Sequence, residues 1–341
     1  MCSEMSQRTQ ITDAAALDLK GFEAELDERI LRAAGFPGAS LAEVTKKAGG
    51  AFPTLVADRL RAHGLDLRTT ATKGAREAEE FRGPELHAAD FEWYFTDACA
   101  RELAVLLRPR HGPPLLFGAP TVAAALAGSG ARAVAVDRSP FLRERFGSRF
   151  GDLHPWDLRR PLGILRAHQV VFFDAPWYFN HIARWLWQAS VAVQRGGTIA
   201  FALFGPTTRP RAQSERDQLL MIAERLGDVS VIESALEYRT PGFEAVALAA
   251  AGHDLSAPWR AGDLVLIQDV RGHMSVPAVP REPDWATHRR GDVVIKVRND
   301  LPRETIDWDS SFVADTVARS HFRRLSIAAW TSRHRIVVSP T

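Results

Sequence analysis

From Leu115 to Leu248 the chain alternates short unbroken apolar runs with longer stretches of helical period. The runs predict strands at Leu115 to Phe117, Ala133 to Val136, Val170 to Phe173, Thr198 to Phe204, Val229 to Ser234 and Ala245 to Ala249. The stretches Thr121 to Ala127, Trp177 to Val193 and Gln213 to Leu226 read as helices. Apolar runs without polar alternation are what strands buried on both faces require, and their alternation with helices predicts a doubly wound α/β sheet. No helix is visible between the last two predicted strands, so Leu236 to Phe243 reads as their direct link.

The flanks have other periods. From about residue 12 to 66, positions such as Ile30, Leu31, Ala34, Leu55, Val56 and Leu60 recur at three- and four-residue spacing and predict three short helices. Ser40 with Glu43 is a capping-box start, Gly49-Gly50 is a stop, and a further helix runs from about Pro53 to His63. Arg68 to Thr72 suits a small wing, so the segment is compatible with a winged-helix module. Arg59, Arg61 and His63 supply little charge for DNA, and packing or dimerisation is the stronger expectation. Past residue 252 the β-like runs Leu264 to Ile267, Val293 to Val297 and Ile336 to Val338 predict a small β-rich appendage or an extension of the sheet. The expected domains are 1–85 (helical), 86–251 (α/β) and 252–341 (β-containing).

Composition narrows the classes. Of 341 residues, 46% are hydrophobic and 25% charged, and 43 basic side chains nearly balance 41 acidic ones, which fits a globular protein and excludes disorder as the main state. No window has the ~20 apolar residues of a membrane span. The polar start MCSEMSQRTQ lacks a secretory apolar segment, so a cytoplasmic location is expected. Cys2 and Cys99 are too few for a disulfide framework or a thiolate zinc site, and no metal is expected. His154, His168 and His181 have no metal-ligand spacing. Arginine clusters within 132–160 and 319–335 read first as solvated faces.

The sharpest chemical feature is Asp174-Ala175-Pro176-Trp177-Tyr178, directly after the strand ending at Phe173. Ligands in open α/β sheets sit at the carboxyl ends of strands, where this loop falls. Asp174 and the Ala175 carbonyl can accept the two N–H bonds of an amine, Pro176 stiffens the turn, and Trp177 and Tyr178 supply a wall. The bland alternative is a helix-capping carboxylate followed by core aromatics. Asp137, just past the second predicted strand and about 20 residues after the first strand's turn, suits a ribose, or else caps a helix. Gly118 permits close backbone approach, and Pro120 suits a first helical position after Ala119. Asp157 suits an exocyclic amine, with Asp152 a competitor, or is a plain turn residue. Trp93, Tyr94 and Phe95 wall a pocket or anchor a helix.

Taken together these pieces resemble the family of probable N6-adenine methyltransferases, a class I, Asp-Pro-Pro-Tyr/Trp type that includes the eukaryotic elongation-factor lysine methyltransferases. Asp174 to Tyr178 is similar to its catalytic loop, Trp93 to Thr96 to its Phe-Trp-Tyr-Ser signature, and Leu116 to Val122 to its first strand and turn. Asp137 stands where the family's acid meets the cofactor ribose, and Trp156-Asp157 with Pro161-Leu162 is similar to the piece that meets the adenine. The likeness spans roughly residues 88–250 and departs at Ala175, where the family has proline, and at Phe117-Gly118. It implies a Rossmann-like class I sheet, S-adenosylmethionine as cofactor, and transfer to an amino nitrogen of protein lysine or adenine. Two alternatives stand beside it: a methyltransferase-like domain without activity that works by binding or regulation, and a nucleic-acid binder using the terminal modules.

Overall fold

The computed structural model describes residues 20–36, 39–65, 93–138, 151–158, 160–163, 167–253, 255, 257–277, 285–290 and 293–298. Leu115–Phe117 (β1), Ala133–Val136 (β2), Gly151–His154 (β3), His168–Phe173 (β4), Val193–Leu203 (β5), Asp228–Tyr238 (β6) and Arg260–Gln268 (β7) form one sheet in the order β3-β2-β1-β4-β5-β7-β6. Neighbours run parallel except that β7 lies antiparallel to both β5 and β6. Register is tight at the centre, where Leu116 pairs with Ala135 on one side and Phe172 on the other.

Side chains alternate across this sheet, as the period of two demands. Leu116 and Phe172 join the core under Asp97–Leu106 (α4) and Pro120–Gly128 (α5), with Leu103, Val122 and Leu126. Phe117, Phe173 and Phe201 point to the opposite layer, built from Phe179–Ala192 (α6) and Ala212–Glu224 (α7). There Phe173 and Phe201 stack with ring centroids 5.0 Å apart. Burial on both faces is why these strands read as unbroken apolar runs.

Three expectations are corrected. Ala245 to Ala249 is not a strand but part of the helix Gly242–Ala250 (α8), which therefore joins β6 to β7 in place of a direct link. An alanine-rich run has high helix propensity, and the Pro241 carbonyl accepts from the N–H groups of Glu244 and Ala245 to open the first turn. Second, the run at Leu264 to Ile267 does not belong to an appendage but extends the sheet, the other reading open to it: it lies inside β7, wedged between β5 and β6. Third, β3 was not foreseen, because its sequence Gly-Asp-Leu-His is polar, as an edge strand is free to be. Trp285–Arg290 (β8) and Val293–Arg298 (β9) form a separate antiparallel pair. The proposed wing at 68–72 and the run at 336–338 lie outside the described residues. No described helix is long and apolar enough to cross a membrane.

The N-terminal helices, residues 20–34 (α1), Leu41–Lys47 (α2) and Pro53–Ala62 (α3), build their own core around Leu26, Ile30, Val44, Phe52 and Val56. The capping box forms: the Ser40 N–H donates to the Glu43 carboxylate (2.8 Å) and the Glu43 N–H to Ser40 Oγ (3.3 Å), and the Ser40 N–H and hydroxyl (2.9 Å) both donate to that carboxylate and lower its pKa. This core closes on Leu248 of α8 and on Trp259, so the module packs on the α/β unit. At the α2–α3 turn Gly49 and Gly50 adopt φ of +84° and +96°, and the Thr207 N–H donates to the Gly49 carbonyl (3.1 Å). The Thr207 hydroxyl donates to Ala48 O, and Lys46 pairs with Glu237. On α3, Arg59 pairs with Asp27 (Nε to Oδ1, 2.6 Å), His63 also reaches Asp27 (3.3 Å) and Arg61 reaches Asp58 (2.9 Å). Each basic group of that helix thus faces a carboxylate of the module itself, which leaves little unpaired charge for a phosphate backbone.

Gly205 is the contact point of this docking: a side-chain carbon there would collide with the Gly49 carbonyl. Gly205→Ala is expected to destabilise by about 1–3 kcal/mol, as overpacking does. Denaturant melts of the full chain check this, and an unchanged midpoint would mean that the two loops do not meet.

Candidate active site

Four elements converge at the carboxyl end of β4. The loop after β4 begins with Asp174, whose N–H donates to the Phe117 carbonyl (3.1 Å), so the ends of β1 and β4 are tied together. Gly118 follows with φ +59°, and a Cβ there would lie 2.8 Å from the Trp185 ring and 3.1 Å from the Asp174 carbonyl. Packing within the protein thus already requires a glycine at this position.

The Asp174 carboxylate accepts from the Tyr238 hydroxyl at 2.9 Å. Asp174 is enclosed by protein on nearly all sides yet keeps some exposed surface. Enclosure pushes its pKa from 3.8 up to about 7, against the pull of the Tyr238 bond and the nearby Arg260 charge. Tyr238 is pushed well above its usual value by burial and by the carboxylate. Glu244, at the start of α8, is buried and pushed up to about 7 for the same reason, with Arg260 again opposing.

Arg260 sits across the β6–β7 ladder from Tyr238, so the two side chains share one face of the sheet. Its guanidinium lies 4.0 Å from the Trp177 ring centroid and 4.3 Å from that of Trp93. Trp177 also meets Tyr238 edge-on (5.4 Å) and rests on Gly262, where a Cβ would come within 2.9 Å of the indole. The 93–96 segment reaches the same place by running beside the end of β6: Thr96 N–H donates to Glu237 O (2.9 Å) and Arg239 N–H to Tyr94 O (2.8 Å). Phe95 turns into the core against Tyr238 (4.7 Å) and Phe172, Tyr94 is buried, and Trp93 alone of the three reaches Arg260.

The remaining candidates separate into two groups. Ala175 is buried, Pro176 is half-buried, and Tyr178 is the N-cap residue of α6 with its ring beside His181. On the other side of the sheet's centre, Asp137 stands half-buried just past β2, and its N–H donates to His154 O (3.2 Å). Ala119 is buried and Pro120 opens α5. The loop bearing Asp157 is pinned by Gln188 of α6, which receives the Leu162 N–H (2.8 Å) and donates to the carbonyls of Leu158 (2.6 Å) and Arg160 (2.8 Å). Gly118, Asp137 and Asp157 therefore stand at neighbouring strand ends. Two carboxylates are an acceptor set that suits a nucleoside's hydroxyls and exocyclic amine. Cys99 is a buried apolar neighbour whose thiol burial pushes up to about 12.

Sequence reading missed Tyr238, Glu244, Arg260 and Gly262. The only signals were an aromatic ending one strand and an Arg at the head of another.

No protein-family model matches the chain, and no curated protein matches it. Solved structures do. The branched-chain polyamine synthase of Thermus thermophilus, in complex with N4-aminopropylspermidine and 5'-methylthioadenosine, aligns with a TM-score of 0.56 at 17% identity over 76% of this chain and 91% of its own. Its C9 mutein aligns at 0.53 and 18% over 76% and 96%. The Thermus thermophilus 16S rRNA N2 G1207 methyltransferase, in complex with AdoMet and guanosine, is more distant at 0.35 and 13% over 66% and 53%. The fold is Rossmann-like. The structural neighbours include methyltransferases that depend on S-adenosylmethionine.

Two measurements test the electrostatics. Tyr238→Phe removes a bond that lowers the Asp174 pKa, so the carboxyl titration seen by NMR should move up from about 7; a downward move would overturn the assignment. The folded protein holds these protons to about pH 7, whereas the unfolded chain releases them near 3.8 and 4.5. Their contribution to stability is therefore full below pH 4 and lost as pH rises towards 7. Asp174→Asn and Glu244→Gln should each flatten the fall in Tm across that window.

Proposed function

We propose that the chain transfers an alkyl group, in the simplest case methyl, from S-adenosylmethionine to an amino nitrogen. The observation that carries this reading is Asp174, a largely enclosed but still partly exposed carboxyl at the end of β4, oriented by the Tyr238 hydroxyl, with Trp177 against that tyrosine and Trp93 against the neighbouring Arg260; this partly open spot is the recess in which the amine would sit. Gly118, Asp137 and Asp157 would hold the nucleoside of the donor, and a fold neighbour that carries both 5'-methylthioadenosine and an amine supports a site divided in this way. The donor supplies an electrophilic methyl on a sulfonium. The protein's part is placement. Asp174 and the Ala175 carbonyl accept the two N–H bonds of the amine and thereby aim its lone pair at the donor. Tyr238 fixes the carboxylate so that it does not turn away, and the aromatic walls keep water out. A carboxyl titrating near neutrality is also poised to take the proton the nitrogen sheds. Ala175 in place of a proline leaves the carbonyl acceptor intact.

One face of Trp177 is occupied by the Arg260 guanidinium, so that face is not open to stack an adenine, which favours an aliphatic amine over a base.

Calorimetry with S-adenosylmethionine is expected to show binding, weakened about tenfold by Asp137→Ala, the loss of a hydrogen bond to a charged group. No affinity at millimolar donor would favour a purely binding or regulatory protein. Asp174→Ala is expected to abolish transfer to amines and to spare donor binding; retained turnover would refute the role of Asp174. The kcat/KM of the parent should rise with pH through about 7 as Asp174 ionises, and the Asp174→Asn variant should lose that limb.

A further inference from the structure

The Arg260 guanidinium carries five donors and, among the described residues, gives none of them to a hydrogen bond or an ion pair; its contacts are the rings of Trp93 and Trp177. Its Nε is withdrawn from solvent without a partner, and so is Oε2 of Glu244. The charges of Asp174 and Glu244 reach it without touching it. A buried polar group left unpaired is costly, and more so when charged, so a guanidinium held in this way is an expensive feature unless something else meets it. Contact with two indole rings offsets part of that cost. The rings also restrain the planar fork, and a fork whose donors no protein group takes can grip a carboxylate or a phosphate through two parallel bonds. The fork stands beside the Asp174–Tyr238 pair, on the same sheet face as Tyr238. Aromatic rings alone would wall an amine pocket equally well; an arginine between them is unnecessary for a purely cationic acceptor and repels it.

We propose that Arg260 is the anchor for an anionic group, carboxylate or phosphate, on the acceptor, so that the recess takes a molecule bearing an amine at one end and an anion at the other. The inference rests on the amine-transfer reading and specifies its acceptor class. Asp174 receives the amine and Arg260 the anion, which gives the recess a charge axis matching a zwitterion and opposed to a linear polyamine.

The test is equilibrium binding to the full chain in two matched pairs, 4-aminobutyrate against 1,4-diaminobutane and AMP against adenosine, with the parent, Arg260→Met and Arg260→Lys. The expected result is that the anionic member of at least one pair binds tenfold or more tighter to the parent. Preference within the first pair assigns a carboxylate, within the second a phosphate. Arg260→Met should erase the preference, and Arg260→Lys, which keeps the charge but loses the fork, should restore part of it. Equal affinities within both pairs, tighter binding of the diamine, or a preference that survives Arg260→Met would each overturn the proposal. Should Arg260→Met fail to fold, Arg260→Lys decides: a preference undiminished in that variant overturns the fork contact. The two readings fail separately. Transfer to diaminobutane that depends on Asp174, with no anion preference, sinks the anchor alone; an anion preference lost in Arg260→Met, without donor affinity, sinks the transferase and leaves the anchor.

Discussion

The hydrogen bond from Tyr238 to Asp174 joins parts of the chain that nothing else would bring into one chemical unit. One partner leaves the end of a parallel strand, and the other ends the outermost strand of the sheet's antiparallel side, 64 residues later. A carboxyl enclosed by protein is tolerable only if some donor meets it, and Tyr238 is that donor. To place the phenol there, β6 must reach the rim, β7 must lie between β5 and β6, and the 93–96 segment must run along the end of β6 so that Phe95 packs beneath the phenol ring. Much of the architecture on that side of the sheet therefore bears on one oxygen.

The electrostatics of the recess follow from the same enclosure. Two carboxyls and one guanidinium share a region that water barely reaches, and neither carboxyl closes an ion pair with the guanidinium. Each is held away from its ordinary ionisation by burial, against the pull of its neighbours. Such frustration is uncommon in a purely structural core, which pairs its charges, as Arg216 does with Asp263 at 2.7 Å elsewhere in this protein.

The parts that were legible in the sequence share a physical reason. β1 and β2 are buried on both faces, so composition alone marks their limits, and the residues named for them match the structure to the residue. The capping box at Ser40 is equally local. β3 escaped because an edge strand needs no apolar run, and Ala245 to Ala249 misled because alanine and valine fit a buried strand or a buried helix until the partner surface is known. At the site, the Asp174 loop was readable because strand, turn and carboxylate are adjacent. Tyr238, Glu244 and Arg260 were not, since no local pattern distinguishes a tyrosine that bonds a distant carboxylate from one that fills a core.

A parallel strand delivers its last residue to the ligand rim, but β7 runs the other way and delivers its first. Arg260 therefore owes its place to the segment that precedes it, 251–259, and to the length of α8 before that. With a side-chain period of two, a slip of a single residue there would present Trp259 or Ala261 to the rim and turn the guanidinium to the sheet's opposite face. The position of this guanidinium is in that sense a matter of counting: a connector, by its length alone, determines which charge stands at the rim.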